Sequence, residues 1–322
     1  MALALILLVV YLGYVGYQGS DVFAARARAG DCRTPASAFG WQYQAINYDI
    51  ASDAELDAFG DRLACPRQGE AAGTDLKTPD DVRIAGWYIP AVRSSSNAPT
   101  IVLAHGDDDN KSAMLTWAEP LHGSYNLVLF DFRNHGQSSG KTTTLGVREA
   151  VDLKAVVDWV VRAKQAKTIA LLGVSMGGSA AMEEAAADER IDAVVLDSTH
   201  ATLANALEAR LVHEGYPLPL PGAWSILLGG LIRTGEDMTV ADPVQSIVRY
   251  GDRPVLIIAA GNDRLVGAHD AAELLAAARK GGAAAELETC PKASHDQAIR
   301  ACGDQYAGWV LNFLERSLSS GP

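Results

Sequence analysis

Short apolar runs alternate with segments of helical period over the C-terminal two thirds of the chain. The apolar runs predict six strands, namely Thr100–Ala104, Asn126–Asp131, Thr168–Val174, Ala193–Asp197, Val255–Ala260 and Ala285–Cys290. Apolar residues at helical spacing between them predict helices, among them Gly146–Ala163, Gly177–Ala187, Ala268–Lys280 and Gln305–Leu318. Continuous apolar strands that alternate with amphipathic helices indicate an α/β fold, with a mostly parallel sheet covered by helices on both faces.

The alternation is interrupted between Ser198 and Val255, where no clear strand is found. A compact α/β unit needs only a short connection there. The interval therefore predicts a helical insertion at about residues 199–250, which we expect to cover the carboxyl edge of the sheet as a cap. Its most apolar part is Ala223–Ile232.

The N-terminal residues 1–20 contain no Asp, Glu, Lys or Arg. A helix of this length reaches about 30 Å, which matches the hydrocarbon core of a bilayer. The segment therefore predicts a single-pass membrane anchor. A cleaved signal peptide, with sites near Ala25, Ala27 and Ala29, is disfavoured because no Lys or Arg precedes the apolar run. A buried core helix is disfavoured because core helices are rarely so uniformly apolar.

The side of the membrane stays open at this stage. Arginines after the apolar run (Arg26, Arg28 and Arg33) favour a cytoplasmic location for the rest of the chain. The cysteines favour the opposite side, because Cys32 lies near Cys65 and Cys290 near Cys302 in the sequence. Two such local pairs suit an oxidising compartment, whereas four reduced thiols suit the cytoplasm.

The remaining N-terminal part predicts two further units. Residues 21–71 are weakly patterned and predict a helical juxtamembrane segment, with Asp53–Leu63 as its clearest helix. The main domain is predicted over residues 72–320. It begins with a pair of strands, Thr74–Lys77 and Val82–Pro90, joined by a turn.

Charge and composition exclude several classes of function. The chain has 322 residues, with 27 Lys and Arg against 39 Asp and Glu, and a net charge of −12. A nucleic-acid-binding protein needs a basic surface, so we expect no nucleic-acid partner. The four cysteines include no Cys-x-x-Cys pair, which disfavours a structural zinc site. We expect neither a metal nor an organic cofactor.

The sequence Gly173-Val174-Ser175-Met176-Gly177 matches the pattern G-x-S-x-G. It follows an apolar strand and begins a helix of small residues, which is the context of a nucleophile elbow. A serine needs a general base, and the base needs an orienting acid. Asp263 and His295 follow later strand ends in the order acid then histidine, and we predict them as these partners of Ser175. Asp197 also ends a strand and is the alternative acid.

Among the other histidines, His200 follows a strand end and is either a pocket residue or a surface residue, whereas His105 and His135 are expected to be structural.

These motifs together resemble the α/β-hydrolase superfamily, in a branch of bacterial membrane-anchored or secreted serine hydrolases related to serine aminopeptidases and prolyl oligopeptidases. The resemblance covers about residues 72–320 and rests on five ordered segments: Leu103–Gly106, Asp131–Ser138, the elbow at Ser175, Gly261–Asp263 and Ser294–His295. It implies an oxyanion hole formed by the backbone N–H groups of Met176 and Asp107.

Asp107 departs from the family pattern, which often has an aromatic or apolar residue at this position. Three consecutive acids, Asp107, Asp108 and Asp109, stand at the expected site entrance. Their charge would oppose an oxyanion unless the side chains turn away, and it disfavours anionic substrates. Calcium binding is a weaker interpretation, because adjacent acids lack the alternating spacing of a calcium loop.

The resulting hypothesis is a serine hydrolase that cleaves carboxylic esters through an acyl-enzyme on Ser175. Its expected substrates are small-molecule or lipid esters, and its expected membrane contact is the N-terminal helix. A peptidase or amidase of the serine-aminopeptidase type is the first alternative. A non-catalytic binding module of the same fold is the second, although the presence of serine, acid and histidine argues against it.

Overall fold

The computed structural model describes residues 2–24, 31–50, 65, 67–70, 75–93 and 98–319. Its strands are β1 Gln44–Ile46, β2 Tyr48–Ile50, β3 Arg67–Glu70, β4 Gly86–Ile89, β5 Thr100–Ala104, β6 Asn126–Phe130, β7 Ile169–Val174, β8 Ile191–Asp197, β9 Val255–Ala260 and β10 Ala285–Cys290. Its α-helices are α1 Ala2–Gly19, α2 Pro35–Phe39, α3 Leu115–Ala118, α4 Val147–Lys164, α5 Met176–Ala187, α6 Leu203–His213, α7 Pro219–Thr234, α8 Pro243–Arg249, α9 Ala268–Gly281 and α10 Ala298–Leu318. Two 3₁₀ turns lie at Ser20–Phe23 and Met238–Val240.

The strands form one sheet in the order β10-β9-β8-β7-β5-β6-β4-β1-β2-β3. The six strands from β10 to β6 are parallel, and the other four pair antiparallel. Successive side chains of β5 enter two cores, with Val102 on one face and Leu103 on the other. Helices α4, α5 and α9 contribute to the first core, and α3 and α10 to the second. The predicted α/β architecture is therefore confirmed.

The predicted strand bounds agree with the structure to within two residues. The strands from β5 to β9 are buried along all or nearly all of their length, whereas β10, at the edge of the sheet, is only partly buried and carries Glu286 and Glu288. The exception among the helices is α10, which begins at Ala298 rather than at Gln305. Gly303 interrupts it with a backbone φ of 45° and ψ of −116°. This kink breaks the helical period of the sequence, so the pattern reveals only the part that follows it.

The helical prediction for residues 21–71 is wrong for much of the described part of that segment. Residues of β1, β2 and β3 extend the sheet beyond β4, so pairing reaches N-terminal to the predicted domain start at residue 72. The second predicted strand, Val82–Pro90, contains β4, but its pairing with the first, Thr74–Lys77, is limited to a single bridge between Lys77 and Arg83. The Asn47 side-chain amide instead donates to the carbonyls of Leu76 and Ile84. These contacts join parts of the chain that are distant in sequence, so the sequence of the segment shows no periodic pattern that would predict them. Residues 53–63, the predicted juxtamembrane helix, lie outside the described residues.

The predicted cap is helical. Helices α6 and α7 pack against each other over the carboxyl edge of the sheet, while α8 packs against α5 and α9 in the layer that covers the sheet. The cap proper is therefore α6 and α7. Helix α7 has a second neighbour, α1, along much of its length.

Residues Ala2–Phe23 form one helical segment, with a mean hydropathy of 1.7, that is long and apolar enough to cross a membrane. Most of its apolar side chains are exposed, so a buried core helix is the wrong interpretation. Its last turn nevertheless enters the domain, where Phe23 is completely buried and its carbonyl accepts from the Thr143 N–H at 3.0 Å. The predicted cleavage sites at residues 25–29 lie outside the described residues.

The four cysteines form two disulfides, Cys32–Cys65 and Cys290–Cys302. Of the two interpretations that the sequence leaves open, the structure has the paired one. The second disulfide connects the end of β10 to α10 and closes the loop that carries His295.

Candidate active site

Ser175 stands in the sharp turn between β7 and α5, with a backbone φ of 51° and ψ of −116°. A positive φ is unfavourable for a residue with a side chain, and neighbouring glycines make the turn possible. A Cβ atom on Gly177 would lie 2.2 Å from the Ala104 carbonyl oxygen, and one on Gly173 would lie 2.3 Å from the Gly177 carbonyl oxygen. The glycines are required because the strand, the turn and the helix touch through their backbones.

The three predicted catalytic side chains form one hydrogen-bonded chain. His295 Nε2 lies 2.9 Å from Ser175 Oγ, and His295 Nδ1 lies 2.7 Å from Asp263 Oδ2. A carboxylate only accepts hydrogen bonds, so the proton of this neutral imidazole resides on Nδ1. Nε2 is then the acceptor for the serine hydroxyl.

Asp263 is held by its own loop. Its Oδ1 accepts from the backbone N–H groups of Leu265 and Val266 at 2.8 and 2.9 Å, and its side chain is 1% exposed. The alternative acid, Asp197, is occupied elsewhere. It accepts from the Trp117 indole at 3.0 Å, the Tyr306 hydroxyl at 2.7 Å and the Ser198 hydroxyl at 3.0 Å. The structure thus brings Asp263, and not Asp197, into hydrogen-bond contact with His295.

Acidic groups around His295 favour its protonated form. Burial lowers the pKa of His295, but the hydrogen bond to Asp263 and the charge of Asp296 outweigh burial and raise the pKa above the ordinary value. Asp296 Oδ1 lies 3.4 Å from His295 Nε2. Burial raises the pKa of Asp296 to about 7, although the neighbouring His295 opposes this shift.

Met176 and Asp107, the predicted oxyanion-hole residues, line the same cavity as Ser175 and His295. Met176 is the first residue of α5, where backbone N–H groups have no partner within the helix. The Asp107 carboxylate is directed to His135, with 3.4 Å between Oδ1 and Nε2. Burial lowers the pKa of His135, but the bond to Asp107 contributes to a net rise. The contact places a compensating partner beside the acid that departs from the family pattern.

The cavity above Ser175 has a volume of about 190 Å³. Its apolar walls come mainly from the cap and the loops beside it, namely Leu145, Leu203, Ala206, Leu207, Leu265 and Val266. The polar side chains that line it include Asp108, Asp296, Arg210 and His200. Val22, at the end of the N-terminal helical segment, completes the lining. No feature of the sequence links Val22 to the site, whereas Asp296 is signalled only by its position next to His295.

Three other histidines differ in their surroundings. His105 is buried, accepts from the Phe132 N–H at 3.0 Å, and has its pKa lowered to about 3 by burial. It therefore has the structural role expected of it. His200 is a buried residue of the cavity, and burial lowers its pKa to about 4. His269 has a largely exposed side chain at the start of α9.

No cluster of acidic, histidine or cysteine side chains suited to a metal ion occurs among the residues that the structure describes. The acids 107–109 instead diverge, since Asp107 contacts His135 while Asp108 is exposed and Asp109 is partly buried. Burial raises the pKa of Asp109 to about 6.

The family follows from both the fold and the sequence. The α/β-hydrolase fold family matches residues 99–250. The uncharacterised protein Rv2307c of Mycobacterium tuberculosis is 32% identical over 215 residues, which are 64% of this chain and 68% of that protein. The chain belongs to the α/β-hydrolase superfamily.

Solved structures with the same fold include an esterase and a peptidase. The Pyrococcus furiosus esterase Pf2001 is 22% identical, with a TM-score of 0.69 over 92% of this chain and 98% of its own. The Pyrococcus horikoshii acylaminoacyl peptidase is 18% identical, with a TM-score of 0.57 over 76% of this chain and 41% of its own. At these identities the likeness concerns the fold.

Proposed function

We propose that the protein is a serine hydrolase that cleaves carboxylic esters, with Ser175 as nucleophile, His295 as general base and Asp263 as orienting acid. The observation that carries this proposal is the continuous chain from Ser175 Oγ through the imidazole to Asp263, with distances of 2.9 and 2.7 Å. The esterase among the structural neighbours supports the same class of reaction.

In the first half of the reaction, Ser175 Oγ attacks the ester carbonyl and its proton passes to His295 Nε2. The backbone N–H groups of Met176 and Asp107 stabilise the oxyanion. The bond to the leaving alcohol then breaks, and the alcohol takes the proton from Nε2. In the second half, water attacks the acyl-enzyme and gives its proton to Nε2. That proton returns to Ser175 Oγ as the acid leaves.

The cavity supports a small or narrow acyl group. Its volume of about 190 Å³ is below the roughly 300–1,000 Å³ of common ligand pockets, and its walls are mostly aliphatic. The acids Asp107, Asp108 and Asp296 disfavour anionic substrates and favour a substrate that carries an amine or another hydrogen-bond donor. These acids are the observation that favours the second candidate function, which is hydrolysis of aminoacyl amides or peptides.

The test uses the full chain in detergent with a fluorophosphonate probe, followed by p-nitrophenyl esters of increasing acyl length and aminoacyl p-nitroanilides. We expect labelling and ester hydrolysis by the wild type and neither by Ser175→Ala. Ser179→Ala, in the next turn of α5, is the matched control and should label normally. Faster cleavage of the anilides than of the esters would favour the peptidase. A folded wild type that neither labels nor hydrolyses would favour a binding module.

We also propose that the protein is anchored in a membrane by α1, which is not cleaved. Removal of the segment would take away the completely buried Phe23 and the cavity residue Val22. The two disulfides support placement of the domain on the oxidising side of the membrane.

A further inference from the structure

Helices α1 and α7 run side by side with their backbones in contact. A Cβ atom on Gly16 would lie 2.6 Å from the Ser225 carbonyl oxygen, and one on Gly229 would lie 2.5 Å from the Gly16 carbonyl oxygen. Further along, a Cβ atom on Gly230 would lie 2.6 Å from the Phe23 ring. Small residues at such crossings allow the close helix packing that is common inside membranes.

The charge-free parts of the two helices end at the same level. Residues 1–20 contain no charged side chain, and neither do residues 215–232. The first charges beyond them are Asp21 and Arg233, which form an ion pair at 2.8 Å. Arg233 also donates to the carbonyl oxygen of Tyr17 and the hydroxyl of Ser20 at 3.0 and 2.7 Å. This paired end marks a common boundary between apolar and polar surroundings.

The outer face of α7 carries a stripe of exposed apolar side chains, which we call the cap stripe: Leu220, Trp224, Leu228, Leu231 and Ile232. Ile232 is 77% exposed and Leu228 58%. The stripe is continuous with the exposed surface of α1, because residues of both helices, including Val9 and Leu228, line one apolar groove of about 540 Å³ between them. Contiguous exposed apolar surface of this kind is unusual on a soluble monomer.

We propose that the cap stripe contacts the acyl chains of a lipid bilayer, so that α7 is a second membrane-embedded element beside α1. A bilayer is the proposed partner of the cap stripe because the neighbouring α1 has the length and hydropathy of a helix that crosses a bilayer. A helix whose backbone touches a spanning helix shares its depth, and the charge-free length of α7 permits this. The opposite side of α1 is polar, because Gln18 and the half-exposed ion pair of Arg210 with Glu214 line a separate cavity there. The bilayer contact is therefore assigned to the side that carries the cap stripe.

The contact brings the candidate active site to the bilayer surface. Val22, directly beyond the charge boundary at Asp21, lines the Ser175 cavity, and so do Leu207 and Arg210, which also line the cavity beside α1. The proposal concerns where α7 lies and does not depend on the reaction at Ser175.

The test places one reporter at a time on the full chain in vesicles of phosphatidylcholine and phosphatidylglycerol. The native cysteines are all paired in disulfides, so L228C and I232C can be labelled selectively with a nitrobenzoxadiazole fluorophore. V10C on α1 is the positive control. H269C, at an exposed site on α9, is the aqueous control. Circular dichroism and fluorophosphonate labelling of each variant report folding and the state of Ser175 separately.

We expect the labels at Leu228 and Ile232 to be quenched by nitroxide lipids severalfold more than the label at His269, and to a degree similar to that at Val10. Aqueous iodide should quench them weakly. Two results would overturn the proposal. One is lipid quenching at Leu228 and Ile232 no greater than at His269. The other is protection of the labels at Leu228 and Ile232 from both quenchers, together with fluorescence energy transfer between labelled copies. That result would show that the cap stripe contacts a second copy of the chain.

Discussion

His295 Nε2 lies 2.9 Å from Ser175 Oγ, although 120 residues separate the two side chains in the sequence. The contact exists because β7 and β10 belong to one parallel sheet, so that the residues following their carboxyl ends reach the same edge. The cap interval is part of the chain between them, and it covers the pair rather than displacing it.

The two acids at neighbouring strand ends are expected to respond differently to neutralisation. Asp263→Asn should lower kcat by about 10⁴-fold, because an amide favours the wrong imidazole tautomer. Asp197→Asn should leave the Ser175–His295 contact in place and reduce the free energy of unfolding by about 1–3 kcal/mol, through weaker bonds to Trp117 and Tyr306. Ester kinetics and urea unfolding of both variants check this. Equal kcat losses would contradict the assignment of Asp263.

The pH dependence of kcat/KM is expected to report His295. The reaction needs the neutral imidazole, so activity falls as the pH drops through the pKa of His295. Because that pKa is raised, the acidic limb should lie above the pH of an ordinary histidine. Asp296, with its own pKa raised to about 7, is partly ionised over this limb, and its ionised form favours the imidazolium. Asp296→Asn removes that charge and should shift the limb to lower pH. Asp304→Asn removes the same charge from the exposed side of α10 and should leave the limb unchanged. An unshifted limb in Asp296→Asn would refute the electrostatic role of Asp296.

Glycine-to-alanine substitutions are expected to separate the elbow from an ordinary helix. Gly177→Ala places a methyl group 2.2 Å from the Ala104 carbonyl oxygen, and should abolish fluorophosphonate labelling and lower the Tm. Gly308→Ala, in α10, meets nothing within 4 Å. It should stabilise the protein by about 0.5–1 kcal/mol, because alanine is the better helix former. Calorimetry and labelling of both variants provide the measurement. Normal labelling of Gly177→Ala would show that the turn is less tightly packed than described.

The disulfide around His295 is expected to support both stability and turnover. Replacing Cys290 and Cys302 by alanine removes a loop closure over a sequence separation of 12 residues, at a cost of about 3 kcal/mol. Loss of this disulfide should also lower kcat, because the loop that it closes carries His295 and would hold the imidazole less firmly beside Ser175. Replacing Cys32 and Cys65 should reduce stability without this loss of kcat. Urea unfolding and ester kinetics of the two double variants decide the matter, and an unchanged kcat for the first would argue against positioning of His295 by the disulfide.

The sequence by itself determined the central architecture and the residue types of the site. The strands from β5 to β9 are apolar throughout or nearly so. The helices between them have a clear period, so local burial alone reveals both. The elbow is equally local, since its glycines and Ser175 lie within five consecutive residues. Asp263 and His295 stand out because each follows a predicted strand.

Only the tertiary structure decided what depends on distant segments meeting. It selected Asp263 over Asp197 as the hydrogen-bond partner of His295, paired the cysteines, and added β1, β2 and β3 to the sheet through pairing that leaves no periodic pattern. It also placed Val22 in the Ser175 cavity and α1 against α7. Such contacts depend on the relative position of packed elements, whereas hydrophobic periodicity records only which side of one element is buried.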